Sequence, residues 1–357
     1  MNIAHKTCGF AALLISAYLL AGCSGAEPNL QTGQPAAPKS ASLLAHLNTL
    51  TTIGSTVDPL NGDQNPYGLA IAPISAGLIT AGDLIICNFN DGPTNTQGNG
   101  TTIVGLHPVV GSSPYRIAQG QALFGCDALS LAPNDYIWTA DFNANDDAIY
   151  SPSGTLVAPL AAGATYPWSG PWGEIYAPEP NGAIAFYVSN AGSGTVDRVA
   201  LSGGSISSVT PVATGFSVNH GVPGSISAPA GLTYDPSIDT LYVVDTNVNT
   251  VSAIAHVSTI ASPAAASIKV IAQGAPLNGP LSAALLPNGN LVVGNTLDPA
   301  GTNLLIEVSP AAGVVAIKNV DTGAGGAIFG IVATGTVASP KIYFNDDNTN
   351  SVVLVSP

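Results

Sequence analysis

Side-chain oxygens able to hold a cation recur in this chain at regular places. Asn88, Asp141, Asn190, Asp245, Asn295 and Asn345 each close or follow a short β-branched or aromatic run. They stand about 50 residues apart. Two acids fall outside that series. Asp127 and Glu174 occupy places where the corresponding segments are apolar, such as Leu69 and Leu232 opposite Glu174. Calcium gathers roughly six to eight oxygens from carboxylates, carboxamides and backbone carbonyls. Glu174, Asn190 and Asp245 are therefore the candidate metal set, with calcium as the cation they would suit. Asn and Asp in turns also bond to nearby backbone, so the same oxygens read equally well as turn caps. No catalytic residue is assigned.

Other chemistries find less support. His46, His107, His220 and His256 are scattered without ligand spacing. No Gly-x-Ser-x-Gly elbow, Cys-x-x-Cys-His haem attachment or Gly-rich phosphate loop occurs. Seven Lys and Arg against 21 Asp and Glu give a net charge of -14, and the cations do not cluster. Phosphate-backbone binding needs clustered cations, so nucleic acid is excluded as a partner. Trp168 and Trp172 share the run Trp-Ser-Gly-Pro-Trp-Gly, which suits an apolar lip for a sugar or other ring, although packing is the commoner use.

The elements that must position these oxygens repeat with them. Pro229 to Ile254 shows the unit: an apolar run begun through Gly231, a turn at Asp235-Pro236, the run Leu241-Tyr-Val-Val, a polar hinge at Asp245, and the alternating Thr250-Val-Ser-Ala-Ile. Six such units, each begun by a small residue (Gly68, Ala128, Gly173, Gly231, Ser282, Gly330), predict an all-β fold. The fold is a six-bladed β-propeller over residues 44–357. The last unit has only three strands, and the run Leu47 to Ile53 supplies a fourth. An N-terminal strand completing the last blade removes an exposed edge and closes the ring. Cys87 ends the second strand of blade one, and Cys126 lies just before the inner strand of blade two. Both fall on one rim of neighbouring blades, so a Cys87–Cys126 disulfide is expected in an oxidising compartment. Two buried free thiols are the other reading.

Pro66-Tyr-Gly-Leu-Ala with Asn88, and Pro229-Ala-Gly-Leu-Thr with Asp245 and Asn249, resemble the NHL-repeat family of six-bladed propellers. Blades two and five depart from the pattern, with Asp127-Ala128 and Leu281-Ser282. The resemblance implies that hydrolytic and lyase relatives place metal-binding carboxylates or histidines at the mouth of the central channel. It thus points to the same rim as Glu174 and the hinges.

The N-terminus carries a different message. Lys6, the apolar run from Phe10 to Leu20 and then Leu20-Ala-Gly-Cys23 read as a secretory signal over residues 1–22. The final four residues resemble a bacterial lipobox, which implies lipid on Cys23, and Ser24 implies export to the outer membrane. Residues 23–43, rich in Pro, Ala, Gly and Gln, read as a flexible tether. The whole is expected to be a monomeric outer-membrane lipoprotein acting as a non-enzymatic binding or scaffolding module, with a protein or glycan partner. The alternative is a metal-dependent lactonase-like hydrolase or lyase with a cation at the channel mouth.

Overall fold

Runs such as Leu241-Tyr-Val-Val are buried on both faces, because each small sheet packs between two others. The computed structural model describes residues 41–296, 298 and 301–357. The expected signal segment, Cys23 as the expected lipid acceptor, and most of the expected tether therefore lie outside the described residues. Strand β1 (Thr49–Ser55) precedes five consecutive four-stranded antiparallel sheets. Blade one is β2 (Gln64–Ile71), β3 (Leu84–Asn90), β4 (Gln97–Leu106) and β5 (Tyr115–Gln119). Blade two is β6 (Cys126–Leu131), β7 (Ile137–Asp141), β8 (Asp146–Tyr150) and β9 (Leu156–Ala158). Blade three is β10 (Pro171–Pro178), β11 (Ile184–Asn190), β12 (Thr195–Ser202) and β13 (Ser205–Thr214). Blade four is β14 (Pro229–Asp235), β15 (Thr240–Asp245), β16 (Thr250–Ala255) and β17 (Ile268–Gln273). Blade five is β18 (Pro280–Leu285), β19 (Leu291–Asn295), β20 (Asn303–Ser309) and β21 (Gly313–Asp321).

Blade six combines both ends of the chain. Its strands are β22 (Ile328–Thr336), β23 (Ser339–Asp346) and β24 (Ser351–Ser356), with β1 paired antiparallel to β24. The chain is a six-bladed β-propeller closed by its N-terminal strand. Ahead of β1, Leu43, Leu44 and Leu47 are buried in the seam between blades five and six. Glu307 of β20, fully buried, holds this segment down. It accepts hydrogen bonds from Ser42 Oγ (2.6 Å), Leu44 N (2.8 Å), Leu43 N (3.2 Å) and Asn290 Nδ2 (2.6 Å). Burial alone would raise its pKa, but these donors outweigh it and hold the carboxyl below its usual range. Ser42 and Leu43, which fall inside the stretch assigned to the tether from its composition, are thus packed against the propeller.

The core is divided into six inter-blade seams and one central plug. Every seam is also crossed by a specific bond. The Cys87–Cys126 disulfide joins blades one and two, with Cα atoms 6.0 Å apart. Tyr176 N donates to Ser130 Oγ (2.8 Å) between blades two and three, and Ser189 Oγ to Ala230 O (2.7 Å) between three and four. Thr246 Oγ1 donates to Pro280 O (2.6 Å), and Ser282 Oγ to Phe329 O, across the next two seams. Asn345 Nδ2 closes the ring onto Tyr67 O (3.1 Å) and Gly68 O (3.0 Å). The small residues that begin the inner strands have a steric cause. A Cβ on Gly173 would collide with Ala230 O of the next blade, and one on Gly330 with Tyr67 O.

Candidate functional site at the channel mouth

The six inner strands, β2, β6, β10, β14, β18 and β22, line the central channel. At one rim each inner strand faces its polar hinge in the same register. The pairs are Pro66–Asn88, Cys126–Asp141, Pro171–Asn190, Pro229–Asp245, Pro280–Asn295 and Ile328–Asp346. In blade six the hinge is therefore Asp346, and Asn345 beside it spans to blade one. The register slips just after each pair, so one residue per blade is released from regular pairing. Those residues are Tyr67, Asp127, Trp172, Ala230, Leu281 and Phe329.

Five of these six are apolar, and they pack together with Phe89, Ile226 and Ala228 into the plug. The Tyr67 ring stacks on Phe89 and on Phe329, with centroids 4.2 and 3.9 Å apart. Asp127 is the sixth member. The space left among Tyr67, Phe89, Asp127, Trp172, Ile226 and Leu281 is about 10 Å³, room for at most one water. Apolar transfer favours this arrangement, because the aromatic rings leave water when the loop carrying Ile226 folds over them. Below the plug the channel widens to a cavity of about 370 Å³ bordered by all six inner strands.

Two residues further along the register lies a second ring: Leu69, Leu129, Glu174, Leu232, Ala283 and Ile331. Glu174 is its one charged member. It is only 6% exposed, and neither carboxyl oxygen has a hydrogen-bond partner. Its electrostatic neighbours are acids of blade two. Burial first, then Asp147 and then Asp141, raise its pKa well above the usual carboxylate range. Asp147, paired with Ala140 across β7 and β8, is fully buried with both oxygens unpartnered, and burial followed by Asp146 raises its pKa. Asp141 and Asp127 are raised the same way, by burial first and by Asp146 and Asp141 respectively. Among the described residues the ion pairs Asp58–Arg116 and Glu179–Arg198 and the hydrogen-bonded pair Asp83–His107 all lie elsewhere. These acids thus form a group without a countercation among the described residues, and their surroundings favour the neutral form of each carboxyl.

The other two members of the candidate metal set serve the turns. Asn190 Nδ2 donates to Asp197 Oδ2 (2.7 Å), and its Oδ1 accepts from Ser169 N (2.9 Å). Asp245 accepts from Ser217 N (3.1 Å) and Asn247 N (3.0 Å). Neither is among the acids that act on Glu174. Among the described residues no group of three or more His, Cys, Asp or Glu is arranged to hold a metal ion. Asn190 and Asp245 thus spend these oxygens on turn contacts, while both carboxyl oxygens of Glu174 are unpartnered. Trp168 and Trp172 are each 4% exposed, and Trp168 Nε1 donates to Leu160 O (2.7 Å), so they form no open lip. His220 is exposed in the loop before β14. Sequence reasoning missed Asp146, Asp147 and the plug. The pair Asp-Asp ahead of Ala-Ile-Tyr was the available sign, since β8 carries these acids into a buried strand.

No family model and no curated protein matches the sequence. Solved structures do match in shape. A catalytically inactive virginiamycin B lyase from Staphylococcus aureus with quinupristin superposes with a TM-score of 0.52 at 14% identity, over 87% of this chain and 99% of that one. A chain of a nidogen/laminin complex gives 0.53 at 14%, over 76% and 85%. A putative gluconolactonase gives 0.55 at 12%, over 86% and 98%. The likeness is one of fold. It spans a lyase, a putative gluconolactonase and a nidogen/laminin complex alike, so the fold does not choose among them.

Proposed function

We propose that this protein is a non-enzymatic binding or scaffolding module of the bacterial cell envelope, held to the membrane by lipid on Cys23. The observation that carries the reading is the filled channel mouth. Where an enzyme on this scaffold needs open space and free oxygens, Tyr67, Trp172, Ile226, Leu281 and Phe329 pack against one another. The hinge oxygens of Asn190 and Asp245 close turns. What the hinge rim does offer is a set of loops on a rigid ring, including Leu60 and Val222 at 73% and 68% exposure. Rigid loops of this kind suit a protein or glycan partner. The partner's identity follows from neither the loops nor the fold.

The alternative, a metal-dependent lactonase-like hydrolase or lyase, draws on the buried acids and the lyase and gluconolactonase likeness. One pair of experiments separates the two. The intact protein is assayed for opening of small lactones and of a cyclic depsipeptide in calcium, magnesium, manganese or zinc. It is also used as bait on envelope extract, beside a Leu60→Asp, Val222→Asp variant. The binding reading expects no turnover above buffer, and retained proteins that the variant loses. Metal-dependent turnover that Glu174→Gln abolishes would overturn it.

A further inference from the structure

The two faces of the ring differ in what they expose. At the strand ends away from the hinges, the connecting turns carry Ile74, Leu78, Val109, Val110, Ile238 and Val337, each between 42% and 67% exposed. Among the described residues, the hinge side shows Leu60, Val222 and Val248 as the exposed large aliphatics on its turns. Charge is divided in the opposite sense. The acids near the away ends, Asp83, Asp135, Glu179, Asp235, Asp239 and Glu307, are all buried. Most have partners: Asp83 takes His107 and Tyr115, Glu179 takes Arg198 and Tyr187, and Asp239 takes Tyr234 and Ser258. The acids that remain partly exposed, Asp91, Asp321 and Asp347, stand on the hinge side. Lys269 and Lys341 are exposed near the away ends of β17 and β23. A chain of net charge -14 thus has, among the described residues, one face without an exposed Asp or Glu side chain.

The first described residues also pack on that face. Asn288, in the turn joining β18 and β19, donates to Ala41 O (3.0 Å), and Glu307 holds Ser42 to Leu44 beside it. Cys23 lies about 18 residues upstream, which as a coil spans only about 25 Å.

We propose that the face away from the hinges is a membrane-docking surface. The aliphatic turn tips enter the headgroup layer, Lys269 and Lys341 meet anionic lipid, and the hinge loops point outward to their partner. This rests on the lipid-anchored reading above. Apolar tips with flanking cations are favourable at such an interface, and exposed carboxylates there would be repelled. The occupant is a lipid surface rather than a second copy of the chain, because the first described residues, the apolar tips and the lack of exposed acidic side chains coincide on one side.

The full lipidated chain carrying Val110→Cys, Val337→Cys or, as the hinge-side control, Val222→Cys is labelled with an environment-sensitive fluorophore. It is reconstituted on phosphatidylethanolamine/phosphatidylglycerol vesicles containing brominated lipid, and pelleting with the vesicles is scored in the same samples. Quenching at positions 110 and 337 is expected to exceed that at 222 by at least about threefold. Pelleting with equal quenching at all three, or stronger quenching at 222, would overturn the docking face while leaving the anchor intact. Failure to pellet would overturn the anchored reading and the docking face with it. Shielding at 110 that appears without vesicles and grows with protein concentration would assign the face to a second copy instead.

Discussion

Glu174 shows how one residue changes meaning between sequence and structure. In the sequence it is an acid where other repeats have Leu, which suggests a ligand. In the fold it faces Asp147 and Asp141 across a blade seam with no partner for either oxygen. A carboxyl so placed binds its proton more tightly in the folded than in the unfolded chain. Its favourable contribution is fully present below the unfolded value of 4.5 and is lost as pH rises through the folded value. Asp197 and Asp347, each pushed up to about 6 by burial, act in the same sense between 3.8 and 6. Stability is therefore expected to be greatest in mild acid and to fall toward alkaline pH. Each such group lowers it by at most about 1.4 kcal/mol per pH unit. Glu174→Gln, which matches the neutral shape, should melt at or above wild type at pH 8 and near it at pH 4. Melting curves across that range check the slope. A variant that loses stability equally at both pH values would contradict a neutral carboxyl. Asp147→Asn should behave alike, and the double variant should gain less than the two singles together, because each acid acts on the other's field.

At the scale of elements, β1 and the segment before it bear the ring closure. Removing residues 24–40 is expected to leave the melting temperature unchanged. Removing residues 24–55 exposes the edge of β24 and takes Leu43, Leu44, Leu47 and Ile53 out of the core. At about 1.5–3 kcal/mol for each buried aliphatic side chain, the loss is on the order of 6 kcal/mol or more. Equal melting temperatures for the two truncations would refute closure by β1. Glu307→Ala leaves the N–H groups of Leu43 and Leu44 unpaired inside the seam, and should cost about 2–3 kcal/mol by denaturant unfolding. The strands were legible because their patterns are local: β-branched runs, polar hinges and small residues at a fixed period. The closing strand was legible from a deficit, three strands at one end and a spare at the other. Asp346 as the hinge of blade six was not, because Asn345, Asp346 and Asp347 are adjacent polar residues and only register selects among them. The plug was hidden for the same reason. Tyr67, Trp172 and Phe329 look like ordinary strand residues until the slip after each hinge pair turns them into one ring.

At the scale of the molecule, six seams each carry an apolar cluster and at least one specific bond, so the ring is rigid and its two faces can differ freely. One face bears the hinges and the partly exposed acids; the other bears aliphatic tips, two lysines and the point where described chain begins. The central claim is that the channel mouth is filled by side chains, and the proposal drawn from it is that no cation binds there. The most direct measurement is a pair of thermal melts of the mature protein, one in EDTA and one in excess calcium. A calcium ion bound at a hundredfold its dissociation constant would stabilise the fold by about 2.7 kcal/mol, a shift of at least about 4 °C for a domain of this size. The expected result is that the two curves coincide. A calcium-dependent rise of that size, lost in Glu174→Gln, would contradict the filled mouth and restore the metal-dependent alternative.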